Sequence, residues 1–127
     1  MVTGWGKTDT DPDESKGRPV ILQEGNKTTI PNSQCHEYKW EERPFVITDN
    51  MICAVNPKES SCKGDSGGPM VTLSKNGTYQ QIGIVSFGDS KRDKNGTVLS
   101  VCPLETPGVY SRVTAQLDWI HKMIKRH

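Results

Sequence analysis

The sequence lacks a charge imbalance and lacks any long apolar run. Sixteen basic and 15 acidic residues give a net charge of +1, so the chain as a whole has no field that would hold a nucleic acid or an anionic lipid surface. No apolar stretch approaches the roughly 20 residues that a membrane-spanning helix needs, and residues 1–6 lack the apolar core of a signal peptide. We therefore expect no nucleic-acid partner and no membrane partner.

Alanine, and hydrophobic residues in general, are also scarce. The chain has only two alanines, whereas glycine and proline together supply 20 residues, and valine and isoleucine dominate the apolar set. This composition favours short strands joined by turns. With 127 residues, of which 32% are hydrophobic, the chain suits one domain with a thin core. We expect a single all-β domain over residues 1–127.

Short apolar or alternating segments bounded by glycine or proline predict where the strands lie. Six strands are expected, at residues 1–6, 18–23, 50–54, 69–73, 79–87 and 108–113. Six strands suit a small closed barrel. The polar segments 9–17 and 89–96 have no apolar anchor and are predicted to be solvated surface loops.

Two helices are expected to interrupt the strands. Asn32 or Ser33 could cap a short helix that runs to about Trp40 and stops before Pro44. At the C-terminus, Thr114 could cap a second helix that docks on the barrel. That helix would dock through one apolar stripe, formed by Leu117, Ile120 and Ile124.

The cysteines lack the close C-x2-4-C spacing that zinc sites use. They lie at Cys35, Cys53, Cys62 and Cys102. Four cysteines suggest two disulfides in a secreted chain and a metal or redox site in a cytosolic one. The spacing favours disulfides over the zinc alternative, and we expect no metal and no cofactor.

Export is also compatible with three glycosylation sequons, which begin at Asn26, Asn76 and Asn95. Together with the disulfides they favour an extracellular protein. Its export signal is not in this sequence.

The most informative segment is residues 62–69, Cys-Lys-Gly-Asp-Ser-Gly-Gly-Pro. Gly64 and Gly67 can adopt backbone angles closed to other residues, so the turn can direct successive N–H groups to one point beside the Ser66 hydroxyl. Such a point could serve as an oxyanion hole. From these residues alone, an ordinary β-turn at residues 65–68 is an open alternative.

The same segment also satisfies G-x-S-x-G, the nucleophile elbow of α/β-hydrolases. An elbow requires a helix directly after its serine. Here Pro69 is followed by the strand-like residues 70–73, and no crossover helices follow. The context therefore disfavours the elbow.

Six segments, in order, resemble the chymotrypsin/trypsin family of serine endopeptidases. They are residues 2–6 (VTGWG), 51–54 (MICA), 62–69 (CKGDSGGP), 83–88 (GIVSFG), 107–113 (PGVYSRV) and 118–120 (DWI). The resemblance implies the second barrel of that fold, a six-stranded antiparallel Greek-key barrel with a C-terminal helix. It also implies disulfides Cys35–Cys53 and Cys62–Cys102.

The resemblance assigns roles to the residues of the glycine-rich segment. Ser66 would be the nucleophile, and the N–H groups of Gly64 and Ser66 would form the oxyanion hole. Asp65 would pair with a new amino terminus after zymogen activation. The substrate would be a peptide or protein.

The resemblance also places a specificity pocket, with Ser60 at its floor and Gly88 and Gly108 in its walls. Its expected lining is Ser60, Ser61, Ser86, Phe87, Gly88 and Gly108. A small uncharged floor predicts a preference for Phe, Tyr, Trp or Leu before the cleaved bond, since Lys or Arg would lose hydration without gaining a partner. Glu59 beside the floor and a long loop at residues 89–101 could modify this preference.

A catalytic base is lacking. In this family a first barrel supplies the histidine that activates the serine and the carboxylate that orients the histidine. The six matching segments all resemble the second barrel. His36, His121 and His127 are expected to be surface residues. We therefore expect a missing N-terminal barrel as the partner that supplies His and Asp, and an isolated chain that is inactive.

Two departures from the family pattern limit the resemblance. Thirteen residues separate Gly88 from Cys102, several times the usual number, and Thr72 stands where the family has a further cysteine. The alternative function is a non-catalytic binding module that keeps the barrel and binds a partner through its loops.

Overall fold

The computed structural model describes residues 1–38, 40 and 46–126. Within them the chain forms a seven-stranded antiparallel sheet in the spatial order β2-β1-β5-β6-β9-β4-β3, and a separate hairpin of β7 and β8. The strands of the large sheet are β1 (Val2–Gly4), β2 (Gln23–Gly25), β3 (Thr28–Ile30), β4 (Met51–Val55), β5 (Pro69–Leu73), β6 (Tyr79–Phe87) and β9 (Gly108–Arg112). The hairpin strands are β7 (Ser90–Arg92) and β8 (Val98–Val101).

The sheet curls until its two edges meet. Its outermost strands are β2 and β3, and only Asn26 and Lys27 separate them along the chain. One bent segment therefore pairs with β1 at one edge and with β4 at the other. Counted as one strand, this segment brings the number to the predicted six. The expected all-β fold, with a curled antiparallel sheet and a C-terminal helix, is confirmed.

The core occupies the inside of this curl in two clusters. One contains Val2, Ile52, Ala54, Met70, Val85 and Tyr110, and the other contains Cys35, Ile47, Cys53 and Val109. The interior strand β9 supplies Val109 and Tyr110, and both are fully buried. β9 pairs with both β4 and β6. It therefore links a strand that precedes the glycine-rich segment to one that follows it.

The predicted strand at residues 18–23 is wrong except at Gln23. Residues 20–22 are apolar but exposed and lie outside any strand, and on that side of β1 its three residues pair with Gln23–Gly25. β3 was not predicted, because Thr28 and Thr29 give little apolar signal. Short edge strands depend on a partner rather than on their own composition.

The segment at residues 89–96 is not the predicted solvated loop. β7 pairs with β8, and the Asp89 side chain is buried. Its polar residues led to the prediction of a loop, but backbone hydrogen bonds between β7 and β8 form a hairpin here. The segment at residues 9–17, by contrast, lies in turns and loops as predicted.

The first helix, α1 (Asn32–His36), is preceded by Pro31, and no side chain caps it. The predicted caps Asn32 and Ser33 lie inside the helix, and its predicted extension toward Trp40 does not form. Pro44 lies outside the described residues. Asn32 donates instead to the carbonyls of Thr48 and Met51.

The C-terminal helix α2 (Leu117–Arg126) follows a 3-10 turn at Val113–Gln116. Thr114 therefore lies inside that turn and is not an N-cap. The expected docking of the apolar stripe is also wrong, because α2 has no buried residue and Leu117 and Ile124 are exposed. No helix in the described part of the chain is long and apolar enough to cross a membrane.

Candidate active site

The glycine-rich segment forms a tight turn between β4 and β5. The Asp65 N–H donates to the Cys62 carbonyl at 2.9 Å, and the Gly68 N–H donates to the Asp65 carbonyl at 2.9 Å. Gly64 and Gly67 have φ values of 99° and 83°, which side-chain-bearing residues rarely adopt. The β-turn alternative is therefore correct as local geometry, and this turn also presents Ser66 to solvent.

The turn is fixed to the sheet on both sides of Ser66. The Gly67 N–H donates to the Val85 carbonyl at 2.9 Å, and the Val85 N–H donates to the Gly68 carbonyl at 2.9 Å. β5 begins directly afterwards at Pro69. A strand rather than a helix follows the serine, so the geometry is not that of a nucleophile elbow.

Two N–H groups beside the Ser66 hydroxyl are unused. Within the described residues, the N–H groups of Gly64 and Ser66 donate to no acceptor, whereas those of Asp65, Gly67 and Gly68 all do. Unpaired, exposed backbone donors on either side of a hydroxyl can stabilise a negative oxygen that forms there.

The Asp65 carboxylate points away from this turn, into the start of the chain. Oδ1 accepts the Gly6 N–H at 2.9 Å, and Oδ2 accepts the Cys62 N–H at 2.8 Å. A Cβ at Gly4 or Gly6 would overlap the carboxylate, so these glycines make room for it. The Met1 ammonium donates elsewhere, to the Val71 carbonyl at 2.7 Å.

A cavity of about 290 Å³ lies next to Ser66. Its lining brings together every residue that the sequence assigned to the pocket: Ser60, Ser61, Ser86, Phe87, Gly88 and Gly108. A Cβ at Gly88 would meet nothing within 4 Å, whereas one at Gly108 would lie 3.2 Å from the Tyr110 ring. A cavity of this size has room for one side chain of a bound ligand.

Ser60 and Ser61 make part of the cavity lining polar. The Ser61 and Tyr110 hydroxyls lie 2.9 Å apart, and burial raises the pKa of Tyr110 above its usual 10.0. The Ser60 hydroxyl donates to the Ser61 carbonyl at 3.1 Å. Asp89, the one carboxylate among the described residues of the lining, accepts the Ser90 N–H at 3.0 Å.

Sequence reasoning did not find Lys27, whose ammonium contacts Ser60 of the cavity lining. Its ammonium donates to the Ser60 hydroxyl oxygen at 3.3 Å and to the Glu59 carbonyl at 3.5 Å. Burial lowers the pKa of Lys27 from 10.5 to about 8, although the Glu59 carboxylate opposes this shift. Lys27 and Ser60 are 33 residues apart along the chain. Lys27 lies in the bend between β2 and β3, and the fold brings this bend next to Ser60.

Both predicted disulfides, Cys35–Cys53 and Cys62–Cys102, are present. All four cysteines are therefore used, which removes the zinc alternative. Cys62–Cys102 joins the turn that bears Ser66 to the chain just after β8. The β7–β8 hairpin is thus held beside the cavity.

The Ser66 hydroxyl has no hydrogen-bond partner within the described residues. His36 Nε2 lies 2.8 Å from the Ile47 carbonyl, and His121 is exposed on α2. His127 lies outside the described residues. Among the described residues, no imidazole lies within hydrogen-bonding distance of the Ser66 hydroxyl to accept its proton.

Comparison with known proteins agrees with this geometry. The family model described as Trypsin matches residues 1–120. The chain belongs to the trypsin family. It is 34% identical to mouse (Mus musculus) tryptase over 131 aligned residues, which span 98% of this chain and 43% of tryptase. The chain thus spans under half the length of this trypsin-family relative.

Proposed function

We propose that the chain is the nucleophile-bearing half of a serine endopeptidase, with residues 1–127 forming the second barrel of the protease domain. One observation carries the proposal: the exposed Ser66 lines a cavity of about 290 Å³, and within the described residues the N–H groups of Gly64 and Ser66 donate to no acceptor. Ser66 attacks the peptide carbonyl, and the two N–H groups stabilise the oxyanion.

A first barrel supplies the histidine that accepts the Ser66 proton and the aspartate that orients it. The share of tryptase that the chain spans, 43%, supports this division. So does the absence of any hydrogen-bond partner for the Ser66 hydroxyl in the described part of the chain. Without its base a serine hydroxyl is a weak nucleophile, and the isolated chain is therefore inactive toward peptides.

Asp65 acts in activation. Its carboxylate is half-buried and accepts only backbone N–H groups, from Gly6 and Cys62. An amino terminus created by proteolysis would bring a positively charged ammonium to the Asp65 carboxylate, in addition to these two hydrogen bonds. Such a charge-assisted contact would favour the turn that directs Gly64 toward the oxyanion.

A chimera that joins the first half of mouse tryptase to this chain tests the proposal. We expect the activated chimera to bind a fluorophosphonate probe covalently at Ser66, while the isolated chain reacts far more slowly. Ser66→Ala is the control and abolishes labelling in both. A folded, activated chimera that fails to label would contradict the proposal and favour the non-catalytic binding module.

The cavity prefers a large apolar side chain, Phe, Tyr, Trp or Leu, before the cleaved bond. Its floor, Ser60, is neutral, and the Lys27 ammonium that contacts it repels a substrate cation. A buried apolar side chain contributes roughly 1.5–3 kcal/mol, whereas Lys or Arg would be desolvated without an acidic partner at the floor.

Matched peptides that differ only at this residue test the preference in the chimera. We expect kcat/KM for a Phe substrate to exceed that for an Arg substrate by at least about tenfold, the equivalent of one unmatched charge. Gly88→Val, whose side chain enters the open side of the cavity, should lower kcat/KM for Phe more than for Ala. An Arg substrate that outpaces Phe would overturn this preference.

We propose an extracellular location. Two disulfides support it, because such bonds persist in oxidising compartments. The three sequon asparagines, Asn26, Asn76 and Asn95, are all exposed. Mass shifts on glycosidase treatment of protein secreted from animal cells would show which of them carry glycans.

A further inference from the structure

The carbonyl of Lys63 has two donors, one on each lone pair. The Lys7 N–H donates to it at 2.9 Å, and the Arg18 guanidinium donates to it through Nη1 at 2.7 Å. Lys63 precedes Gly64, so this carbonyl belongs to the same peptide group as the unpaired Gly64 N–H. The orientation of that peptide group decides whether the N–H faces Ser66.

A trans peptide links the two groups rigidly. The described chain contains no cis peptide bond, and in a trans peptide the C=O and N–H point in opposite directions. Two donors that hold the Lys63 carbonyl toward residues 7–18 therefore turn the Gly64 N–H to the opposite side. Gly64 makes this possible through its φ of 99°.

Arg18 is itself held in place by Glu14. Its Nε donates to the Glu14 carbonyl at 2.9 Å, and Nη2 pairs with the Glu14 carboxylate at 3.0 Å. The other Glu14 oxygen pairs with the Lys63 ammonium at 3.1 Å. A Cβ at Gly64 would lie 2.5 Å from Arg18 Nη1. The guanidinium thus packs directly against the Gly64 backbone with its donors already oriented.

We propose that Arg18 is a positioning residue for the oxyanion hole. It fixes the Lys63–Gly64 peptide group with the Gly64 N–H directed toward the reacting oxygen. It also polarises that peptide group, because a cation on the carbonyl strengthens the N–H as a donor. The role of Gly64 in an oxyanion hole rests on the proposed function, but the orientation of the peptide group does not.

NMR spectroscopy of the ¹⁵N-labelled chain tests the orientation directly. Arg18→Gln removes the charge, Arg18→Lys keeps it with fewer donors, and Lys16→Gln is the matched control. Lys16 carries the same charge on the same loop, but its side chain pairs with Asp11 instead. We expect the Gly64 amide proton to move upfield in Arg18→Gln, to return part of the way in Arg18→Lys, and to stay in place in Lys16→Gln.

A second readout uses the activated tryptase chimera and phenylboronic acid, which mimics the tetrahedral intermediate. The Ser66 oxygen adds to trigonal boron and loses its proton to solvent, and a hydroxyl on the anionic boron then occupies the oxyanion position. We expect Arg18→Gln to raise the Kd about tenfold, less than the 10²–10³ typical of losing a donor outright. Lys16→Gln should leave the Kd unchanged.

The two readouts separate the two hypotheses. If Gly64 shifts equally in Arg18→Gln and Lys16→Gln, or in neither, Arg18 does not position this peptide group, whatever the boronic acid does. If Arg18→Gln alone shifts Gly64, but the activated chimera and its variants do not bind phenylboronic acid, the positioning stands and the proposed nucleophile site fails. Because Arg18 is partly exposed, its substitutions should leave the rest of the spectrum, and hence the fold, intact.

Discussion

Two glycines with nearly the same backbone angle lie in opposite surroundings. Gly64 has a φ of 99°, and a Cβ there would lie 3.0 Å from the Gly6 Cα and still closer to Arg18. Gly77, in the turn between β5 and β6, has a φ of 84° and open space around it. A side chain at Gly64 would meet both an unfavourable backbone angle and a steric clash, whereas a side chain at Gly77 would meet only the unfavourable backbone angle.

We therefore predict that Gly64→Ala lowers the free energy of unfolding by about 2–4 kcal/mol, whereas Gly77→Ala lowers it by about 1 kcal/mol. Urea denaturation followed by tryptophan fluorescence measures both. Equal losses at the two positions would show that the contact with Gly6 and Arg18 is relieved at little cost.

Lys27 gives the chain a defined dependence of stability on pH. Its pKa is about 8 in the folded chain and 10.5 without burial. Between these values the unfolded chain binds more protons, so the free energy of unfolding rises with pH. We predict a gain of about 1 kcal/mol from pH 7.5 to 9.5, after allowing for partial exposure.

Lys27→Met is the variant that checks this assignment, because it keeps the aliphatic stem and removes the charge. Its free energy of unfolding should be nearly flat from pH 7.5 to 9.5. Above about pH 10 the raised pKa of Tyr110 acts in the opposite direction, since the unfolded chain then loses its proton first. A rise with pH that persists in Lys27→Met would assign the effect to another group.

The residues that sequence reasoning could find are those contained in one contiguous motif. Gly64, Asp65 and Ser66 follow one another, and Ser60 lies six residues upstream of the serine. Arg18 and Lys27 reach the same region from 45 and 33 residues away. Nothing in their local sequence distinguishes them from solvated surface charges, so only the tertiary structure reveals them.

At the level of elements, the strands that could be predicted are those with a buried face. β4, β5, β6 and β9 lie within a residue of their expected positions, because their valine and isoleucine residues mark them. The edge strands β2 and β3 and the hairpin strand β7 have little apolar content, and the apolar β8 is only four residues long. Their hydrogen-bonding partners determine them, and a partner strand is a long-range property.

The disulfide Cys62–Cys102 connects two of these elements across a sequence separation of 40. Closing a loop of that length stabilises the folded chain by about 4 kcal/mol in the chain-entropy model. We predict that Cys62→Ala with Cys102→Ala lowers the free energy of unfolding by about that amount. Guanidinium denaturation of this variant beside the parent chain, with Cys35–Cys53 oxidised in both, measures the difference.

A loss below about 1 kcal/mol would mean that the unfolded chain is already restricted in this region, contrary to the model. The same variant should also loosen the β7–β8 hairpin. Faster amide hydrogen exchange confined to β7 and β8, without a change in β4 and β9, would support that interpretation.

At the scale of the whole molecule, several large apolar side chains are exposed on the surface. Val20 is 93% exposed and Trp119 is 60% exposed. Trp5, Ile21 and Leu22 are also exposed, and the Trp5 Nε1–H donates to the Val20 carbonyl at 3.2 Å, which brings the Trp5 ring to the segment 20–22. We call Trp5, Val20, Ile21 and Leu22 the apolar patch. Several adjacent exposed apolar side chains are typical of an interaction surface.

We predict that the apolar patch contacts the first barrel in the complete protease and drives self-association of the isolated chain. Val20→Ser with Ile21→Ser should reduce the association of the isolated chain in sedimentation velocity. In the tryptase chimera the same pair should lower the unfolding temperature, since each covered side chain contributes roughly 1.5–3 kcal/mol. Leu73→Ser with Tyr79→Ser is the control, because these two large side chains are also exposed and lie opposite each other across β5 and β6. If the control pair lowers the unfolding temperature of the chimera as much as the patch pair does, the first barrel does not cover this patch.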